Sequence, residues 1–231
     1  MSSYIKQIES IIEQEPENEL LEASVLYRQE LSTIPEASYY KTLGRMCKQG
    51  KLVHLSKGLY YRPMISRYGT VPISDAEIIR HYTQEGTGIV IGYPLYNRIG
   101  LTTQISKRVE VLSSNLTEQT KNVGNICVSS CFLEFNDEST PIIESLEVLQ
   151  NYSKIEDINK EALAAYMTRF AKLYSDKTAV QVLQTRKYKK STIAFLERFL
   201  NYHGIENTLN QFLSALSSYS LPEMEEFYET T

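Results

Sequence analysis

The stretch from Thr33 to Pro63 reads TIPEASYYKTLGRMCKQGKLVHLSKGLYYRP, and it decides how the N-terminal part of the chain folds. Thr33 and Glu36 have the spacing of a capping box, and Pro35 fits the first turn of a helix, where its missing N–H costs nothing. A helix is therefore predicted to begin here. Gly50 stands where a residue in the left-handed conformation commonly ends a helix.

The periodicity of this helix predicts which of its side chains are buried. Apolar side chains recur at intervals of three and four residues and are predicted to face inward: Ala37, Tyr40, Leu43 and Cys47. The opposite face is predicted to point outward, with Ser38, Lys41, Thr42, Arg45 and Gln49. Beyond the helix, a strand at Lys51 to Leu55, a turn at Ser56 to Gly58 and a strand at Leu59 to Arg62 are predicted. This is the layout of a recognition helix followed by a β-wing.

Two helical segments are predicted before this stretch. The first has the apolar stripe Ile5, Ile8, Ile11 and Ile12 and ends near Pro16, and the second runs from Leu20 to Leu31. Helix, helix, helix and wing is the order of a winged helix-turn-helix. Short strands and helices are predicted from residue 68 to 140, and a helical bundle from residue 141 to 231. Five apolar stripes predict the helices of this bundle: Ile142, Ile143, Leu146 and Leu149; Leu163, Tyr166, Phe170 and Leu173; Val180 and Leu183; Ile193, Leu196, Phe199 and Leu200; and Leu209, Phe212, Leu213 and Leu216. The predicted fold class is therefore α+β, with an N-terminal domain at residues 1–67 and a second domain at 68–231.

The charge of the chain is unevenly distributed. Seven basic residues and one acid lie between Glu36 and Arg67, whereas seven Glu and two basic residues lie between Met1 and Pro35. A basic face beside an acidic support helix is expected of a module that neutralises phosphates. Since the net charge of the whole chain is −4, any nucleic-acid site must be confined to such a local basic surface. The alternative is a solvated basic surface on an ordinary helix and hairpin.

Other function classes have little support in the sequence. The three Cys and three His are scattered without ligand spacing, so neither a metal nor a cofactor is predicted. Gly86 and Gly88 precede a strand and lack the residues of a phosphate loop, so an enzyme is not predicted. Lys6, Glu9 and Glu13 interrupt the N-terminal apolar repeat, and no apolar run has the length of a membrane span. A cytoplasmic protein without a membrane partner is predicted.

Three further segments of the chain carry predictions of their own. Arg62 to Pro72 is rich in turn formers and is predicted to be a linker, and the acidic segment from Pro222 to Thr231 is predicted to be frayed. A basic cluster lies between two late helices: Arg186, Lys187, Lys189 and Lys190. It is either a solvated helix junction or a docking surface for an acidic partner or RNA.

The segment LGRMCKQGKLVHLSKGLYYRP, followed by Ser74 to Ile78, Gly92 to Leu95 and Gly100 to Gln104, resembles the AbiEi-type antitoxins of abortive-infection (type IV) toxin–antitoxin systems. The resemblance extends from Met1 to about Ser130. It implies a winged helix-turn-helix that binds double-stranded DNA at inverted repeats in the promoter of its own operon and represses that promoter. It also implies that the chain counters a nucleotidyltransferase toxin without a stable complex. A monomer in solution that binds DNA cooperatively is compatible with the sequence, which does not give the oligomeric state.

Carried over to this chain, the resemblance implies DNA contacts from the outward helix face and the wing: Ser38, Tyr39, Lys41, Thr42, Arg45, Lys48, Ser56 and Lys57. The antitoxin surface is assigned to the basic cluster of the second region from its charge, because a nucleotidyltransferase pocket or its RNA substrate is acidic and would be attracted to it. Tyr39 and Tyr40 are bulkier than the usual residues of the family, so the operator sequence is expected to differ. Two alternatives remain: a winged-helix transcription factor whose C-terminal region senses a ligand or oligomerises, and a protein-interaction module that binds no DNA.

Overall fold

The computed structural model describes residues 2–214 and 218–228, and the chain is a mixed α+β protein. It divides into two compact units. Unit 1 contains Met1–His81 and Asn122–Ile126, and unit 2 contains Tyr82–Lys121 and Cys127–Thr231. Each unit has a hydrophobic core of its own.

Unit 1 combines short helices with small antiparallel sheets. In chain order its elements are α1 (Ser2–Gln14), β1 (Leu20–Glu22), α2 (Ala23–Leu26), α3 (Glu36–Lys48), β2 (Val53–Ser56), β3 (Leu59–Tyr61), β4 (Met64–Ser66), β5 (Gly69–Val71) and most of α4 (Asp75–Thr83). Strands β1, β3 and β2 form one sheet in that order, and β4 pairs with β5. A π-helical turn at Tyr27–Leu31 follows α2.

Helix α3 packs against α1 and ends as its sequence predicts. Ile8 and Ile12 of α1 are fully buried, so the apolar stripe of this helix faces the core of unit 1. Gly50 has a φ of +74°, its N–H donates to the Cys47 carbonyl (3.1 Å), and the Lys51 N–H donates to the Met46 carbonyl (3.0 Å). These two bonds satisfy carbonyls that the helix end leaves unpaired.

Three local predictions for unit 1 are wrong. The capping box does not form, because α3 begins at Glu36 with Pro35 as its N-cap and no side chain caps it. The predicted second helix begins as β1, which pairs with β3. The predicted linker contains the β4–β5 hairpin, whose end pair is Ser66 and Gly69, so the predicted boundary between residues 67 and 68 lies within a hairpin turn.

Unit 2 places a four-stranded sheet beside a group of helices. Its elements are β6 (Gly88–Ile91), α5 (Tyr93–Arg98), β7 (Val109–Ser113), β8 (Thr120–Val123), β9 (Ile126–Ser130), α6 (Ser139–Asn151), α7 (Lys160–Ala171), α8 (Asp176–Thr185), α9 (Lys190–Tyr202) and α10 (Glu225–Tyr228), with β8 and β9 crossing the division between the units. The order of the sheet is β6-β7-β9-β8. A Cβ on Gly88 would lie 2.3 Å from the Tyr82 carbonyl oxygen, so this glycine serves close backbone packing.

Most of the apolar stripes of unit 2 are buried, as the sequence predicts, but Leu173 and the C-terminal tail differ from the prediction. The stripes of α6 and α9 are buried: Ile142, Ile143, Leu146, Leu149, Ile193, Leu196, Phe199 and Leu200. Leu173, predicted to extend the stripe of α7, is exposed. The tail is not frayed over its described part, because Phe227 is buried with its ring 5.3 Å from that of Phe199. Leu216 and residues 229–231 lie outside the described residues.

Candidate nucleic-acid interface

The buried face of α3 is rotated by about one residue relative to the prediction. Its buried side chains are Tyr39, Thr42, Leu43 and Met46. Tyr39 is 0% exposed and its hydroxyl donates to the Ala23 carbonyl (3.0 Å), and burial raises the pKa of this phenol. The Thr42 hydroxyl donates to the Ser38 carbonyl (2.8 Å). The predicted outward orientation of Tyr39 and Thr42 is therefore wrong, because both side chains are buried.

The exposed face of α3 is basic. Lys41 and Lys48 are exposed, and Arg45 is partly buried with its Nη2 3.4 Å from the Thr42 hydroxyl. These three residues follow one another at intervals of four and three, so they share one side of the helix. Among the described residues, the buried Nε of Arg45 has no hydrogen-bond partner. The prediction that Lys41 and Lys48 are exposed is confirmed.

A groove of about 590 Å³ runs along this basic face. Its walls include Tyr4 and Ile5 from α1 as well as Ser38, Gly44 and the three basic residues of α3. The lining therefore combines apolar surface with cationic side chains. The sequence alone did not indicate Tyr4, because only the packing of α1 against α3 brings it to this face.

The turn between β2 and β3 presents one further cation. Lys57 is exposed at this turn, and Gly58 follows it with a φ of +73°, a conformation that favours glycine. Ser56 lies beside a register shift in the hairpin, and its Oγ is buried without a hydrogen-bond partner in the described part of the chain. Lys57 can therefore make the predicted wing contact to DNA, whereas the buried Ser56 hydroxyl cannot in this conformation.

Two basic residues of the N-terminal stretch are engaged by acids of the same unit. Lys51 Nζ lies 2.9 Å from a carboxylate oxygen of Glu13, and Arg62 Nη2 lies 3.8 Å from one of Glu17. The Arg62 guanidinium also donates to the Glu15 carbonyl. The positive charge counted from the sequence is thus divided between structural ion pairs and the exposed cations of α3 and the β2–β3 turn.

In unit 2, the basic cluster between α8 and α9 does not form one uniform surface. Arg186 donates through Nη2 (2.9 Å) and Nε (3.1 Å) to Oε1 of Glu147, a residue of α6 that is only 3% exposed. Burial lowers the pKa of the Arg186 guanidinium, but Glu147 and Tyr188 together raise that pKa by more, so the net shift is upward. Arg186, which the sequence assigns to an antitoxin surface, is only partly exposed, because its side chain pairs with a buried carboxylate.

The neighbours of Arg186 fix the connection between α8 and α9. The Tyr188 hydroxyl accepts from the Arg186 Nε (3.2 Å), and the backbone N–H of Lys189 donates to the Gln150 side chain (3.1 Å). Burial and the nearby Glu147 raise the pKa of the Tyr188 phenol. Lys187, Lys189 and Lys190 are exposed, as predicted, and the Lys190 ammonium also donates to the Ser214 hydroxyl (2.5 Å).

Unit 2 also contains a cavity of about 300 Å³ near α5. Its polar lining includes Tyr93, Ser106, Arg108, Glu110, Asn151 and Lys154. Within residues 2–214 and 218–228, no group of three or more His, Cys, Asp or Glu residues has a geometry that could hold a metal ion. No helix in this part of the chain is both long and apolar enough to cross a membrane.

Comparison with known proteins adds little to this description. No family model matches the chain, and no curated protein sequence matches it. A crystal structure of the RV2827C protein from Mycobacterium tuberculosis is similar, with 12% sequence identity and a TM-score of 0.45. The match covers 95% of this chain and 84% of the other chain. A likeness at this level carries no argument about function.

The hydroxyl of Tyr39 provides a direct test of the orientation of α3. Tyr39→Phe removes the donor to the buried Ala23 carbonyl, so we expect the variant to lose about 1–2 kcal/mol of unfolding free energy. Hydrogen exchange of the α3 amides in the full chain measures this loss. Tyr40→Phe is the matched control, because Tyr40 is 38% exposed and its variant is expected to exchange like the wild type. Equal protection in both variants would contradict the assigned orientation.

Proposed function

We propose that the chain is a cytoplasmic winged helix-turn-helix repressor with antitoxin activity. Unit 1 binds double-stranded DNA in the promoter of its own operon. Unit 2 counters a nucleotidyltransferase toxin. The DNA-binding part rests on the geometry of unit 1, and the antitoxin part rests on the resemblance of the sequence to AbiEi-type antitoxins.

The observation that carries the proposal is the basic face of α3 beside the β2–β3 turn. Lys41, Arg45 and Lys48 lie on one side of a helix of 13 residues, and Lys57 is exposed at the turn. The major groove of B-DNA admits an α-helix, and cationic side chains beside it neutralise phosphates. Arg45 is the best candidate for base readout, because a guanidinium can donate two parallel hydrogen bonds to guanine.

The order of the elements in unit 1 supports a recognition helix with a wing. Three helical segments precede the β2–β3 hairpin, and β1 extends the same sheet on the other side of β3. In helix-turn-helix proteins the second helix of the motif enters the major groove, and this position corresponds to α3. The hairpin then supplies Lys57 as a contact to phosphate or to the minor groove.

Salt-titrated binding to promoter and random duplexes tests the DNA-binding part. Arg45→Ala is expected to cost about 1–3 kcal/mol on the promoter and to reduce discrimination against random DNA, because base contacts specify sequence. Lys57→Ala is expected to weaken binding to both duplexes alike and to lower the salt slope by about one. Lys107→Ala is a matched control, since Lys107 is exposed but lies in unit 2. An equal loss of discrimination in the Arg45 and Lys57 variants would contradict these roles.

The second candidate is a winged-helix transcription factor whose unit 2 senses a small ligand. The cavity near α5 favours it, because Arg108 and Lys154 lie on the same lining as the Glu110 carboxylate and the Asn151 amide. Such a mixture of convergent polar groups is typical of ligand pockets, although 300 Å³ is at the lower end of their size range. Promoter repression without any protection from a toxin would favour this candidate over the antitoxin.

A further inference from the structure

A second pocket of unit 2 lies where β9 ends and the connection from α8 to α9 begins. It has a volume of about 220 Å³, and its lining consists of Ser130, Cys131, Phe132, Thr185, Arg186 and Lys187. This pocket lies in a part of unit 2 that the proposed DNA-binding role of unit 1 does not use. Three of its features point to the same kind of ligand.

The first feature is an aromatic ring in solvent. Phe132 is 78% exposed, although the residue before it, Cys131, is buried in the core of unit 2. The buried neighbour fixes the backbone from which Phe132 extends. An exposed phenylalanine leaves a large apolar surface in water, and this surface can be covered by the flat face of another ring.

The second feature is a high local density of positive charge. The segment from Lys177 to Leu196 contains five basic residues and no acid. Arg186 is engaged by Glu147, so the exposed charge in the lining of the Phe132 pocket comes from Lys187. Lys189 and Lys190 follow it in the chain and are also exposed. The Arg186–Glu147 pair and the Lys189–Gln150 bond hold the backbone of these lysines in place, which lowers the entropy cost of binding.

The third feature is a polar group without a partner. The Oγ of Ser130 is buried, and no hydrogen-bond partner for it occurs among the described residues. A buried hydroxyl without a partner costs free energy, and a ligand with a donor or an acceptor could satisfy it. Ser130 lines the same pocket as Phe132 and Lys187.

We propose that this pocket binds a single-stranded nucleic acid. One base stacks on the Phe132 ring, and Lys187, which lines the same pocket, contacts a phosphate next to that base. Aromatic platforms combined with a cationic groove are the usual means of binding single strands without strong sequence preference. The bases of a duplex are already stacked on one another, so they do not offer a free face to Phe132. An acidic protein segment matches the lysines but has no need of an exposed ring.

Fluorescence anisotropy with the full chain tests the proposal. The probes are a labelled oligouridylate and a labelled oligothymidylate of equal length, with polyglutamate as a competitor. Phe132→Ala is expected to weaken binding about tenfold or more, and Phe132→Trp is expected to retain it. Lys187→Ala is expected to lower the salt slope by about 0.7, the value for one phosphate contact on a single strand. Leu173→Ala, which removes another exposed apolar side chain of unit 2, is expected to have no effect.

The outcomes separate this inference from the proposed function. Binding of one or both oligonucleotides that depends on Phe132 supports the pocket, and the ratio of the two affinities identifies the preferred sugar. Unchanged binding by Phe132→Ala, or no binding of either probe, overturns the inference. If polyglutamate competes equally well with the probes on the wild type and on Phe132→Ala, the inference is also overturned, and an acidic protein partner is indicated. Promoter binding by unit 1 is measured with duplex DNA, so it can persist when this inference fails.

Discussion

Replacing Arg186 with alanine is expected to lower the free energy of unfolding by about 3–5 kcal/mol. The substitution leaves the carboxylate of Glu147 buried without its partner. Glu147 Oε1 accepts two hydrogen bonds from the Arg186 guanidinium, at 2.9 and 3.1 Å, and both would be lost. Arg186 also lies over the Tyr188 ring, 5.4 Å from its centroid, so the variant loses packing as well. Chemical denaturation of the full chain measures the effect.

Two further variants determine whether the loss arises from the unpaired charge. The double variant Glu147→Leu with Arg186→Met removes both charges, and we expect most of the stability to return, since apolar replacements of buried ion pairs are often neutral or stabilising. Lys187→Ala changes the exposed neighbour and is expected to remain within about 0.5 kcal/mol of the wild type. A double variant as unstable as Arg186→Ala would contradict the unpaired charge as the cause.

The sequence could not reveal this ion pair, because its two members are 39 positions apart. In the sequence, Arg186 belongs to a run of basic residues that look alike. The fold separates them, since the end of α8 brings Arg186 against α6 while Lys187, Lys189 and Lys190 stay exposed. A charge run therefore predicted the exposed lysines correctly and the arginine incorrectly.

Helix α3 illustrates the limit of periodicity. Its sequence has two adjacent tyrosines, Tyr39 and Tyr40, and an adjacent pair of Met46 and Cys47, so two apolar stripes one residue apart fit the same helix. Periodicity alone does not distinguish them. The choice depends on a tertiary contact, because the Tyr39 hydroxyl meets the Ala23 carbonyl while Tyr40 stays at the surface.

Element length explains most of the other differences. Helices α6 and α9 have 13 residues each, so their stripes repeat over several turns and were predicted correctly. Strands β1, β4 and β5 have three residues each and were missed, because so short a segment contains too little alternation to be recognised. Strand β3 is equally short but was predicted, because the turn at Ser56 to Gly58 marks it as one half of a hairpin. Such strands form only where a partner strand is available, as β3 is for β1.

Reversing Lys187, Lys189 and Lys190 to Glu is expected to abolish protection from the toxin, if unit 2 is the antitoxin region of the proposed function. The three lysines are exposed, so the substitution changes the surface field from positive to negative without removing a core contact. A nucleotidyltransferase pocket or its RNA substrate is acidic and would be repelled rather than attracted. Arg186 stays unchanged, because its loss would confound protection with stability.

Growth of cells that express the chain together with a nucleotidyltransferase toxin measures protection, and a promoter reporter in the same cells measures repression. The reversal is expected to prevent growth and to leave repression unchanged, because the DNA contacts are assigned to unit 1. A matched control reverses three other exposed lysines of unit 2, Lys107, Lys154 and Lys172, and is expected to protect normally. If the variant with Lys187, Lys189 and Lys190 reversed still protects cells at normal protein levels, these lysines are not part of the antitoxin surface. A loss of repression in the same variant would instead indicate that the reversal disturbs the whole chain.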